Sequence, residues 1–342
     1  MKLAMLAPVA WRTPPEHYGP WESVASLLTE GLVARGVDVT LFATLDSVTA
    51  AVLDGVCPHG YATDDELDGR VWEALHVSHA LARSGEFDLV HNHLDWLPLA
   101  FGQHARAPMV TTIHGFSGPG IRPAYTRSRS AFVAISDSDR QAGLDYAATI
   151  HHGIDLSALP GGRGDGGYLV TLGRIHPDKG TADAIEIARR AGRRLVICGI
   201  VHDDQYFAEA VRPHVDGDRV TFLGPVGPRQ RAEVLGAAAA LLHPIYFDEP
   251  FGLAVVEAMA CGTPVVAYRR GSMAEVVDEG VTGFLATDVA SAVSAVEAAT
   301  ALDRRATRAR AVARFGADRM VEDYLRVYET LLRPASSSPS GA

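Results

Sequence analysis

The chain has 342 residues, 47% of them hydrophobic, and a formal net charge of −10. That length builds two domains, each with its own core. The acidic balance excludes nucleic acid as the main partner and any general attraction to an anionic membrane surface.

The opening, MKLAMLAPVA, reads as a buried strand and lacks the length and cleavage site of a secretory signal. Further strands are expected at Val37–Ala43, Phe87–His91, Met109–Ile113 and Phe132–Ile135, several of them apolar on both faces. Helical patterns lie between them near Trp21–Arg35, Asp65–Arg83 and Trp96–His104. This is the rhythm of a doubly wound parallel sheet. A Gly-rich stretch, LPGGRGDGGY, then interrupts it. Gly162 to Gly167 spell a dinucleotide fingerprint, but the stretch precedes a strand where that motif must follow one. It reads as a hinge.

The alternation then resumes. Strands are expected at Leu169–Leu172, Leu195–Cys198, Val220–Leu223, Ala239–His243 and Val265–Tyr268. Helices are expected near Asp178–Arg190, Asp203–Arg212, Pro228–Leu235, Phe251–Ala260 and Met273–Val277, with Arg-rich helical sequence after Asp303. The fold class is therefore α/β, in two facing domains. Residues 1–158 form the first, 159–167 the hinge and 168–315 the second. Residues 316–333 form a terminal helix, and 334–342 a disordered tail. No stretch approaches the ~20 apolar residues of a membrane span. Cys57, Cys198 and Cys261 are widely spaced, with no CxxC, as in a reducing cytoplasm.

In open α/β sheets, ligands bind beyond the carboxyl ends of the strands. Arg174 follows Gly173 at such an end, and Lys179 stands at the opening of the next helix. Two cations beside a helix N-terminus make an anion site, with Asp178 as the expected N-cap, and a diphosphate suits that spread of charge. Later comes EPFGLAVVEAMACGTPVV. Pro250 is expected at the first helical position, leaving Glu249 beside the free amides of Phe251, Gly252 and Leu253. Glu257 lies eight residues on, ~12 Å along a helix axis. That separation suits two ends of an extended ligand with vicinal hydroxyls, as ribose and hexose have.

GRIHPDKG, then EPFGLAVVEAMACGTPVVA and GFL, resemble the donor domain of the retaining family-4 glycosyltransferases. TTIHG, FVAIS, HHGID and the closing RFGADRMVEDYLRVYETLL extend the resemblance over nearly the whole chain. It implies the GT-B fold of two facing Rossmann-like domains, with the terminal helix crossing back to the first. It also implies transfer from a nucleotide sugar, UDP before GDP, to a small-molecule or oligosaccharide acceptor, with retention and without a metal or other cofactor. Arg174 and Lys179 match the residues that neutralise the diphosphate, and Glu249 the acid at the sugar. Glu257 matches the acid at the ribose, and His114 a histidine facing the donor sugar. His17–Glu22 stands where the family carries Gly-Gly, so Gly19 and Pro20 join the donor-binding set. The short first half is most similar to compact natural-product members.

His91 and His93, with Asp95 near, share a strand face but lack the further ligands of a metal site. The Asp-x-Asp in Ser136–Asp139 reads as a helix cap, and the Arg run at 304–314 as a solvated face. A GDP-mannose-type mannosyltransferase, a UDP-sugar epimerase and a non-catalytic nucleotide-sugar binder are the alternatives.

Overall fold

A computed structural model of the chain describes residues 1–115 and 118–333. The expected tail at 334–342 lies outside the described residues. The first half carries β1 (Lys2–Leu6), β2 (Asp38–Phe42), β3 (Val52–Asp54), β4 (Leu89–Asn92), β5 (Met109–Ile113), β6 (Ala131–Ala134) and β7 (Tyr146–Thr149). They form one sheet in the order β3-β2-β1-β4-β5-β6-β7, every pair parallel. Its helices are α1 (Pro20–Val33), α2 (Gly69–Arg83), α3 (Leu97–Ala100) and α4 (Arg122–Arg127).

The second half repeats the plan with β8 (Tyr168–Leu172), β9 (Arg194–Cys198), β10 (Val220–Gly224), β11 (Ala240–His243), β12 (Val265–Tyr268) and β13 (Gly283–Ala286). Their order is β10-β9-β8-β11-β12-β13, again all parallel. The helices are α5 (Thr181–Arg190), α6 (Asp204–Tyr206), α7 (Pro228–Ala237), α8 (Leu253–Ala260), α9 (Met273–Val276), α10 (Val289–Thr300), α11 (Arg304–Phe315) and α12 (Ala317–Leu332). In each sheet the chain winds one way and then restarts on the other side of its first strand. The switch points fall between β1 and β4 and between β8 and β11, where such folds open a crevice for ligands.

The inner strands β1, β4, β5, β11 and β12 are buried almost throughout, on both faces, as sheets covered by helices on each side require. Met320, Val321, Tyr324, Val327 and Tyr328 of α12 join the core of the first half, packed with Leu28 and Leu32 of α1. The two chain crossings between the halves lie side by side: Ile154 N–H donates to the Phe315 carbonyl at 2.9 Å.

Several local expectations fail for identifiable reasons. The Gly-rich segment is not free. Gly162 N–H donates to Cys261 O at 2.8 Å, and Gly164 and Gly166 donate to Gly236 and Ala237 at 3.0 Å each. A Cβ at Gly162 would lie 2.0 Å from the Gly236 carbonyl oxygen, so only glycine allows this strap to lie so close. The Arg run is not merely solvated. Arg304 donates to the carbonyls of Gly236 and Ala238 and to Thr263, while Arg308 holds those of Leu159 and Ala260. No helix follows Ser136–Asp139. The Asp137 and Ser138 amides instead donate to Glu275 of α9, at 2.8 and 2.6 Å, tying the halves together.

Candidate nucleotide-sugar site

The anion site begins where β8 ends. Arg174, half-buried, has no ion-pair partner among the described residues, and it lines a small pocket with Gly173, Lys179, Thr181 and His243. The expected helix does not start at Asp178. Pro177–Lys179 is a 3-10 turn, and His176 Nδ1, not Asp178, caps it by accepting from Asp178 N–H at 3.3 Å. Gly180 (φ 62°) then turns the chain into α5; a Cβ there would lie 1.9 Å from the Pro244 carbonyl oxygen. The tight turn brings Lys179 over the exit of β11.

Lys179 Nζ lies 3.3 Å from Glu249 Oε2, with the side chains 20% and 13% exposed, and 4.4 Å from the Phe247 ring centroid. His243 Nε2 sits 3.4 Å from the same oxygen. Burial alone would raise the Glu249 pKa. His243 and the Lys179 ammonium outweigh it and hold the carboxyl at about 2. Glu249 is therefore ionised at any physiological pH.

Pro250 is not the first helical residue. It sits in the loop, and α8 begins at Leu253 after Gly252, whose φ is 91°. The straight ~12 Å helical spacing between the two acids therefore does not hold. The amides of Phe251, Gly252 and Leu253 have no acceptor among the described residues, which leaves three donors at a helix N-terminus. The Phe251 side chain is buried against His151, His152 and Phe315. Glu257 lies on α8, and Arg231 Nη1 of α7 approaches its two oxygens at 3.0 and 3.3 Å. Burial pushes the Glu257 pKa up, and Arg231 opposes the rise. Sequence reasoning misses Arg231; the signal for it is the cost of leaving Glu257 unpaired among Val256, Ala258 and Met259. Its Nη2 also donates to His17 O at 3.4 Å, reaching the first half.

On that side, Gly19 precedes α1 and Pro20 is its first residue. Trp21, the next residue, stacks on His114 with centroids 5.3 Å apart and planes 19° from parallel. Glu22 is buried, accepts from Trp11 N–H at 3.3 Å, and is pushed by that burial up to about 7. His114 follows β5. Its Nε2 is 2.8 Å from His93 Nδ1 and its Nδ1 is 3.3 Å from His152 Nε2, so both ring nitrogens are engaged within the protein. The two walls meet just beyond it, where a Cβ on Gly115 would lie 2.9 Å from Pro250 Cγ. The structure thus gathers Arg174, Lys179, Glu249 and the 251–253 amides on one wall and sets His114 on the facing one. No described helix is long and apolar enough to cross a membrane.

Comparison with known proteins agrees with this architecture. A family model for Glycosyltransferase Family 4 matches residues 22–158, and one for Glycosyl transferases group 1 matches residues 160–314. The D-inositol 3-phosphate glycosyltransferase of Actinosynnema mirum is 30% identical, over 87% of this chain and 88% of that protein. AviGT4, a glycosyltransferase involved in avilamycin A biosynthesis, has a crystal structure that superposes with a TM-score of 0.73. It is 25% identical over 98% of this chain and 99% of its own. Anabaena Alr3699/HepE, solved with UDP and glucose, shares the fold at a TM-score of 0.73 and 21% identity, over 97% and 99% of the two chains. The chain belongs to the family-4 glycosyltransferases and is an enzyme of GT-B fold, its two Rossmann-like sheets facing each other across the site just described.

Proposed function

We propose that this glycosyltransferase moves a sugar from a UDP-sugar to a hydroxyl of a small-molecule or oligosaccharide acceptor, with retained anomeric configuration and without a metal. One observation carries the reading: Arg174 and three amides, all without partners among the described residues, converge with the Lys179–Glu249 pair beyond β8 and β11, with the Glu257–Arg231 pair further along α8. That arrangement suits a diphosphate at one end and a ribose at the other.

When the glycosidic bond to the diphosphate breaks, negative charge grows on the β-phosphate. Arg174, Lys179 and the 251–253 amides are fixed donors for that charge, so they stabilise the transition state more than the ground state. Glu249, paired with Lys179 and His243, orients the cation and accepts from a sugar hydroxyl rather than attacking carbon. The acceptor hydroxyl then approaches on the departing face and passes its proton to the leaving phosphate. UDP is favoured as the nucleotide, and the same fold holds UDP in the Anabaena protein. Natural-product assembly is the proposed setting, supported by the end-to-end likeness to AviGT4.

A thermal-shift screen of UDP, GDP, ADP and dTDP, with and without sugar, tests the donor; UDP should give the largest shift, and a larger shift with GDP would reassign it. NMR of the product should show the donor's anomeric configuration. Activity should survive EDTA; an inverted product or strict dependence on Mg²⁺ or Mn²⁺ would contradict the mechanism.

A further inference from the structure

His91 and His93 stand in an unbroken buried line with His114 and His152. His91 Nε2 is 2.8 Å from Thr112 Oγ1, which is 2.7 Å from the Tyr324 hydroxyl. His91 Nδ1 is 2.7 Å from the Tyr328 hydroxyl and 3.3 Å from His93 Nε2. The line continues from His93 through His114 to His152 at 2.8 and 3.3 Å.

A neutral imidazole carries one N–H and one lone pair, so the proton positions along such a line depend on its ends. At one end, His152 Nδ1 is buried and has no hydrogen-bond partner among the described residues. A stranded N–H there would forfeit a hydrogen bond, and a lone pair is the better occupant. His152 Nε2 then carries the proton and donates to His114 Nδ1. At the other end, the buried Tyr328 hydroxyl has His91 Nδ1 as its one hydrogen-bond partner among the described residues. The phenol proton goes there, so His91 Nδ1 is an acceptor, its one lone pair shared between the 2.7 Å phenol and the longer 3.3 Å contact from His93 Nε2–H, and His91 Nε2–H donates to Thr112. The two ends, far apart in the chain, demand the same polarity: every ring protonated at Nε2.

The groups facing the line are the hydroxyls of Thr112, Tyr324 and Tyr328, the Trp21 ring on His114 and the Phe251 ring on His152. Arg319 of α12 donates to the His151 carbonyl and its charge opposes a positive charge on His152. His151, beside His152, faces Glu275 at 3.5 Å. Burial holds His93 and His152 down at about 3, and His91 and His114 well below the usual range.

We propose that His93 is a positioning residue for glycosyl transfer: by accepting the Nε2–H of His114 it fixes that ring as neutral, with a lone pair at Nδ1. This rests on the reading that His114 faces the donor sugar. A neutral ring does not repel an oxocarbenium-like sugar, and with both nitrogens held, by His93 and His152, the His114 ring stays fixed in orientation as well as uncharged.

Two-bond 1H–15N correlation spectra of the full 15N-labelled chain between pH 6 and 8 test the tautomers directly. All four rings should be neutral and protonated at Nε2; an Nδ1–H form or an imidazolium on any of them overturns the proposal. His93→Leu should change the His114 pattern and lower kcat at least about tenfold with little change in KM, as loss of an outer-shell partner does. His93→Asn, whose Oδ1 replaces the acceptor, should restore both. Wild-type kcat in His93→Leu, or no recovery in His93→Asn, removes the positioning role. If the wild-type enzyme turns over no nucleotide sugar, the functional reading falls and the positioning role with it, while the tautomers stand or fall on the spectra.

Discussion

The two walls of the cleft share one architecture and opposite chemistries. Each is the carboxyl edge of a parallel sheet at its switch point. The second-half wall meets buried charge with opposite charge, as Lys179 with Glu249 and Arg231 with Glu257, and keeps Arg174 unpaired among the described residues. The first-half wall meets buried polarity with neutral hydrogen bonds, through four histidines and two tyrosines. All four tryptophans (11, 21, 72 and 96) and ten of the 14 histidines lie in that first half. On the proposed function, the difference follows from what each wall must hold. A diphosphate is a fixed anion and needs cations, whereas sugars and a cationic transition state are better served by uncharged donors, acceptors and ring faces.

The largest effect should come from the charged wall. Arg174→Ala or Lys179→Ala should lower kcat by ~10²–10³, the loss seen when one transition-state donor is removed. Steady-state rates near wild type in both variants would erase the proposed division of labour. The neutral wall should instead show itself in stability. His93 and His152 have folded-state pKa values of about 3, depressed from 6.5. Unfolded chains therefore bind protons that the folded chain refuses. Stability is fully present above pH 6.5 and falls as the pH drops toward 3, by about 1.4 kcal/mol per pH unit for each such histidine. Urea unfolding at pH 7 and pH 5 measures the slope, and a stability that stays flat over that range would contradict a neutral, dry line. The smallest effect concerns Glu22, whose carboxyl is raised from 4.5 to about 7. Here the sign reverses: stability is full below pH 4.5 and is lost as the pH rises through 7. Glu22→Gln should be roughly 1–3 kcal/mol more stable than wild type at pH 8 and nearly neutral at pH 4. A variant less stable at pH 8 would mean that the ionised carboxylate is the favoured form.

The same contrast separates what residues alone reveal from what they hide. Apolar runs separated by helical patterns are enough for two parallel sheets, because strands buried on both faces must be continuously apolar. The edge strands β3 (Val52–Asp54) and β7 (Tyr146–Thr149) escape such a reading, being short and without such a run. Arg174, Lys179, Glu249 and Glu257 are legible because an ionised group set beside a buried strand or within an apolar helix is costly unless a ligand or a counter-charge meets it. Local caps are not legible: His176 takes the place expected of Asp178, and Gly252 delays a helix expected from Pro250. The histidine line cannot be read at all. His91 comes from β4, His93 and His114 from the turns after β4 and β5, His152 from the turn after β7, and the tyrosines from α12, so only the fold makes them neighbours. The strap at 162–166 reads as a loose hinge because its partners are carbonyls, which carry no sequence signal.

The most direct test of the clamp is calorimetric titration of UDP and of uridine into wild-type, Lys179→Ala and Glu257→Ala protein. A clamp with a phosphate end and a ribose end predicts that Lys179→Ala weakens UDP but leaves uridine binding unchanged. Glu257→Ala should weaken both by roughly tenfold or more, as loss of a charge-assisted hydrogen bond does. Equal affinities for UDP in all three proteins, or a uridine affinity that follows Lys179 and ignores Glu257, would contradict it.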